Sequence, residues 1–104
     1  MKKVEFYKLC KCTDDGKIKK FSQRGYYAQE GSELLAIHKE NEGLFTITDI
    51  QTGMVFDKVV ARTYKSALAK LALRLGRLDE IHRKRQTDEY KKAVQRFDDA
   101  EIAE

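Results

Sequence analysis

The sequence predicts an α+β fold: an antiparallel sheet of about five strands, a hairpin plus a three-stranded meander, packed against a long C-terminal helix with a short second helix after it. Three observations carry this expectation. Polar triplets ending in glycine recur at Asp14-Asp15-Gly16, Asn41-Glu42-Gly43 and Gln51-Thr52-Gly53. The segments flanking them are strand-like. From Thr63 onward the apolar residues change to spacings of three and four, as a helix requires.

A three-residue hairpin loop favours a left-handed residue at its last position, and glycine adopts that conformation without steric cost. The three triplets therefore mark three hairpins, with strands at about Val4–Cys12, Lys17–Phe21, Leu34–Lys39, Phe45–Ile50 and Met54–Ala61. Around Gly43 this loop length sets Lys39 against Phe45 and Ile37 against Ile47. Around Gly53 it sets Ile50 against Met54, Asp49 against Val55 and Phe45 against Val59. One face then carries Leu35, Ile37, Phe45, Ile47, Val55 and Val59. Such agreement between turn register and alternation is what a half-buried antiparallel sheet needs. The other face, with His38, Thr46, Thr48, Met54, Phe56 and Lys58, is mixed and expected to be partly solvated. The segment Ser22–Ser32, with Tyr26-Tyr27 between two glycines, reads either as a loop bearing two aromatics or as a short irregular strand.

Tyr64, Leu68, Leu71, Leu75, Leu78 and His82 form one helical stripe after a Thr63 N-cap. The helix is expected to reach about Lys84, a length of about 30 Å, with a kink possible at Gly76. A second helix is expected from Thr87, its Asp88 and Glu89 favouring the positive helix end, with a stripe of Tyr90, Val94 and Phe97. The expected core includes Phe45, Ile47, Val55, Leu68, Leu71 and Leu75. Leu73 lies nearly opposite the stripe and Ile81 falls among basic residues. Something should cover them: the C-terminal helix, a second copy of the chain in a homodimer, or a partner.

Size and composition bound the rest. The 104 residues allow one domain, with residues 1–61 forming the sheet region and 62–104 a helical region whose last residues are expected to fray. A hydrophobic fraction of 41% supports a core and argues against intrinsic disorder. No apolar run approaches the roughly 18 residues of a membrane span. The segment MKKVEFYKLCK begins with two lysines but lacks the apolar stretch of a secretory signal. A cytoplasmic protein with no membrane partner is expected.

Cys10-Lys11-Cys12 would point both thiols the same way on a strand. Zinc needs about four ligands, and only His38 and His82 remain, far away in sequence. Two small buried thiols in a reducing compartment are the plainer reading, with no metal and no cofactor. Catalysis finds little support either. No nucleophile elbow, phosphate loop or HExxH motif is present, and Asp49 and Asp57 read as a solvated carboxylate pair rather than a catalytic one. A small enzyme without a recognisable motif is the second alternative to the functional reading that follows.

Charge is the more informative signal. The net charge of +4 is mild, but residues 62–85 hold eight basic residues against two acidic ones, a net +6. Residues 86–104 carry a net −3 and residues 1–61 a net +1. At about 100° per residue, Lys70, Arg74, Arg77 and Lys84 project together, away from the leucine stripe, with Arg85 adjoining them in sequence. Lys19, Lys20 and Arg24, followed by Tyr26 and Tyr27, add a second basic and aromatic set. Such rows neutralise phosphates. The plainer reading is an ordinary solvated helix face. The expected function is a non-enzymatic binding or regulatory protein that engages nucleic acid or a nucleic-acid-handling protein.

Residues 44–72, LFTITDIQTGMVFDKVVARTYKSALAKLA, read as strand, turn, strand and helix. This stretch resembles the sheet-plus-helix DNA-binding modules at the N-termini of phage-type integrases, whose sheets enter the major groove. In general character the short, lysine-rich, proline-free chain is similar to accessory proteins of phages and conjugative elements, including anti-CRISPR inhibitors. That resemblance implies the first alternative, a protein inhibitor of a host defence nuclease that binds a nuclease–RNA complex without chemistry of its own.

Overall fold

The computed structural model describes residues 2–11, 15–29, 32–74 and 85–103. The order of elements is β1 (Lys3–Lys11), β2 (Ile18–Gln29), β3 (Ser32–Asn41), β4 (Leu44–Asp49), β5 (Val55–Val60), α1 (Tyr64–Arg74), α2 (Asp88–Asp99) and β6 (Glu101–Ile102). Among the described residues the fold is α+β, with five antiparallel strands in sequential order and two helices. Among the described residues no helix is long and apolar enough to cross a membrane.

The three triplet glycines occupy the left-handed region, with φ of 71° at Gly16, 80° at Gly43 and 67° at Gly53. Around Gly43 the pairs Lys39↔Phe45 and Ile37↔Ile47 form as the turn length dictates. Around Gly53 the pair Phe45↔Val59 forms, but a bulge between Ile47 and Thr48 sets Thr48 against Val55. A bulge adds one residue to one strand and turns the following side chains. Val55 is consequently 56% exposed rather than part of the core.

Hairpin and meander are not separate units. β2 runs through the segment that read as loop or irregular strand, pairing with β1 from Lys3↔Tyr26 to Lys11↔Ile18. Its second half pairs with β3, at Tyr26↔Ile37 and Tyr27↔Ala36. Where β2 passes β3, the backbones come too close for a side chain. A Cβ on Gly25 would fall against the Ile37 carbonyl oxygen and the His38 Cβ. On the second face of β3, buried Phe6 of β1 lies beside His38, their ring centroids 6.0 Å apart. Farther along, the Leu9 N–H donates to the Gly53 carbonyl at 2.9 Å.

Both faces of β3 and β4 are therefore covered. Leu35, Ile37, Phe45, Ile47 and Val59 pack against Ala67 and Leu71 of α1, with Tyr26, Tyr64 and Leu68 at the margin. The other face is mixed: His38, Thr46 and Thr48 are buried, whereas Met54, Phe56 and Lys58 are exposed, so it is solvated in part. Thr63 caps α1 by accepting from the Ser66 N–H at 3.1 Å. The expected continuation of this helix to Lys84, with Leu75, Gly76, Leu78, Ile81 and His82, lies outside the described residues. Leu73 is 89% exposed, so α2 does not cover it.

Thr87 caps α2, accepting from the Tyr90 N–H at 3.2 Å. Residues expected to fray continue in regular structure as far as Ile102. Asp98 and Asp99 complete the helix, and β6 then pairs in parallel with β2 at Lys19↔Glu101 and Lys20↔Ile102. The Ala103 N–H donates to the Lys20 carbonyl at 2.9 Å.

Candidate functional site

A groove of about 520 Å³ opens where β1, β2 and the first turn of α1 meet, lined by Lys3, Val4, Glu5, Arg24, Gly25, Tyr26 and Tyr64. The sheet register assembles it. Lys3↔Tyr26, Val4↔Gly25 and Glu5↔Arg24 are direct cross-strand pairs, and the Thr63 cap fixes the start of α1 so that Tyr64 enters from the helix. The Tyr64 ring meets Tyr26 edge to face at 5.0 Å and Phe45 at 4.8 Å. Its hydroxyl accepts from the Lys39 N–H at 3.2 Å. Two aromatic contacts and a hydrogen bond hold that ring in one orientation.

The charges of the groove are unequal. Glu5 accepts from the Ser22 hydroxyl at 2.8 Å, which satisfies part of its carboxylate within the hairpin. Lys3 and Arg24 are exposed, and among the described residues no ion pair engages either one. Tyr26 faces the groove, while its neighbour Tyr27 does not line it and carries the Lys2 ammonium 5.7 Å from its ring centroid. Of the second basic and aromatic set, the fold thus brings together Arg24 and Tyr26 only.

Lys19, Lys20, Lys70 and Arg85, also expected as contact residues, make contacts within the structure. Lys19 pairs with Asp15 at 3.4 Å. Asp15 is held below the ordinary carboxylate range, first by the Lys17 N–H and then by Lys19. Lys20 donates to the Asp98 carbonyl at 3.4 Å, 4.9 Å from the Phe97 ring centroid and 5.9 Å from that of Tyr7. Lys70 turns back to the sheet, its Nζ donating to the Val60 carbonyl at 2.6 Å. The Arg74 side chain, Arg77 and Lys84 lie outside the described residues. Arg85 does not belong to a solvated basic row. Its Nη2 reaches Asp49 at 3.3 Å, with both side chains 14% exposed.

Asp49 is the centre that sequence reasoning missed. It was expected to be solvated with Asp57, yet it accepts from Arg85, from the Gln51 N–H at 3.0 Å and from the Tyr90 hydroxyl at 2.6 Å. Burial first, and the Asp49 carboxylate second, push the Tyr90 hydroxyl well above its ordinary pKa. Arg85 also lies 5.6 Å over the Tyr90 ring. Pairing among all three groups makes this a clasp between α2 and the β4–β5 turn. No sequence spacing marks it, because its members are brought together from residues 49, 85 and 90.

Two further expected residues are placed by the structure. His38 is 4% exposed, its Nδ1 has no partner among the described residues, and burial, then the nearby Lys8 charge, lower its pKa. Cys10 is exposed, which corrects the expectation of a buried thiol, and Cys12 lies outside the described residues. No protein-family model matches the chain, and no curated protein or solved structure matches it either.

Proposed function

We propose that this chain is a non-enzymatic binding protein that engages nucleic acid, free or within a nucleoprotein complex, at the groove between β1, β2 and α1. One observation carries the reading. Lys3 and Arg24 stand beside Tyr26 and Tyr64 in a single concavity, and neither cation has an ion-pair partner among the described residues. Cations that face solvent beside aromatic rings suit a polymer that presents phosphates and flat bases. On α1 the Lys70 ammonium is oriented by the Val60 carbonyl and keeps its charge.

The test is binding of labelled DNA and RNA across a salt series. Binding by phosphate contacts weakens steeply as salt rises, since each neutralised phosphate releases counterions. Absence of binding to either polymer at low salt, with micromolar protein, would remove this reading. A mobile-element inhibitor that recognises a defence nuclease by protein contacts alone would then be the reading to pursue.

A further inference from the structure

Resting on that reading, we infer that the groove selects single-stranded nucleic acid, with a base against the Tyr26–Tyr64 pair and the adjoining phosphates at Lys3 and Arg24. The argument begins with shape. A concavity of about 520 Å³ is of the scale of small-ligand clefts, roughly 300–1,000 Å³. A paired base inside a duplex cannot enter such a space without leaving its stack, whereas an unpaired base is already free to do so.

The second step is the state of the rings. Tyr26 and Tyr64 are half-buried, and Tyr64 is fixed by Phe45, Tyr26 and the Lys39 N–H. A base that stacks on a ring already held in place loses little side-chain freedom on binding. Every base has a π-face, so this contact tolerates sequence and contributes to affinity without specifying it. The third step is charge. Lys3 and Arg24 flank the rings on neighbouring strands. The Glu5 carboxylate, which would repel phosphate, is turned to the Ser22 hydroxyl.

The experiment compares a labelled single-stranded oligonucleotide, DNA and RNA, with a duplex of the same length, against the wild type and a Lys3→Gln, Arg24→Gln variant. Both substitutions are at exposed positions, and circular dichroism confirms the fold before binding is measured. The wild type is expected to bind the single strand severalfold more tightly than the duplex. The variant is expected to lose affinity and to shallow the salt slope by about 1.4 units, two contacts at about 0.7 each for a single strand. The chain contains five tyrosines and no tryptophan, so its intrinsic fluorescence reports tyrosine and should be quenched by the single strand. Equal or tighter binding of the duplex overturns the inference but leaves nucleic-acid binding intact. Wild-type affinity of the variant for the single strand also overturns it, by moving the contact elsewhere. Binding of neither polymer overturns the inference and the reading beneath it together.

Discussion

The Tyr90 hydroxyl donates to the Asp49 carboxylate at 2.6 Å, across 41 residues of chain. This bond and the Arg85 ion pair fasten α2, which has no buried residue of its own, to the β4–β5 turn. A hydrogen bond to a charged group contributes about 1.5–3 kcal/mol. Tyr90→Phe keeps the ring under Arg85 and removes only the hydroxyl. It should lower stability by about 1.5 kcal/mol, the lower end because the site is partly open, as read by denaturant titration. An unchanged midpoint would show that α2 docks without this bond.

Leu71 is fully buried between α1 and the sheet, while Val55 is 56% exposed beyond the bulge. Leu71→Ala should cost about 2–5 kcal/mol through lost transfer energy and the cavity left behind. Val55→Ala should cost less than about 0.5 kcal/mol, as surface substitutions usually do. Equal losses at the two positions in urea titration would mean that the bulge does not turn Val55 outward.

These two residues show what was legible. The Gly43 register and the α1 stripe follow from turn length and helical period, and both place Leu71, Phe45 and Ile47 inside. The bulge was not legible, because nothing local in Val55-Phe56-Asp57 marks where the extra residue falls. The reach of β2 was partly legible. A nine-residue β1 hinged near Gly16 needs an equally long partner, which carries β2 past Lys17–Phe21 to Tyr26. That inference would have placed Arg24 and Tyr26 beside Lys3. It could not have brought Tyr64 to them, since that contact depends on how α1 crosses the sheet. The Asp49 clasp depends likewise on the docking of α2 and leaves no periodic trace.

Gly25 sits where β2 crosses β3, and a methyl group there would meet the Ile37 backbone rather than a movable side chain. Gly25→Ala should therefore force the strands apart and cost about 1–3 kcal/mol, the usual range for overpacking. It should also raise amide exchange at Tyr26 and Tyr27, whose pairing with β3 lies next to the clash. Hydrogen exchange followed by mass spectrometry checks this. Wild-type protection in that peptide would place the closest approach of the strands elsewhere.

His38 is buried with its pKa below the ordinary value of 6.5, chiefly through desolvation and then through Lys8, partly offset by Glu40. Because the folded pKa is depressed, the unfolded chain takes up the proton first as pH falls. The stabilising contribution is present above about pH 6.5 and is lost as pH drops through the lowered folded value. Thermal stability should fall from pH 7 to pH 5, and His38→Gln should fall less over the same interval. The difference between the two proteins removes any contribution from His82. Parallel curves would show that His38 is not the titrating group. Asp15 and Glu40, both held below their ordinary values by hydrogen bonds and lysines, should contribute only at more acid pH.

On the proposed reading, Lys70 and Arg24 have different roles. The Lys70 ammonium donates to the Val60 carbonyl at 2.6 Å at the end of the edge strand β5. Among the described residues no ion pair holds Arg24, which opens onto the groove. Lys70→Gln should thus lower stability by about 0.5–1.5 kcal/mol, the net worth of a typical hydrogen bond, and leave nucleic-acid affinity near the wild type. Arg24→Gln should do the reverse, keeping the thermal midpoint and weakening binding with a shallower salt dependence. Measuring both proteins by thermal denaturation and by oligonucleotide titration at two salt concentrations separates the roles. If Lys70→Gln weakens binding as much as Arg24→Gln does, the face of α1 takes part in recognition, and the groove is one end of a longer basic track.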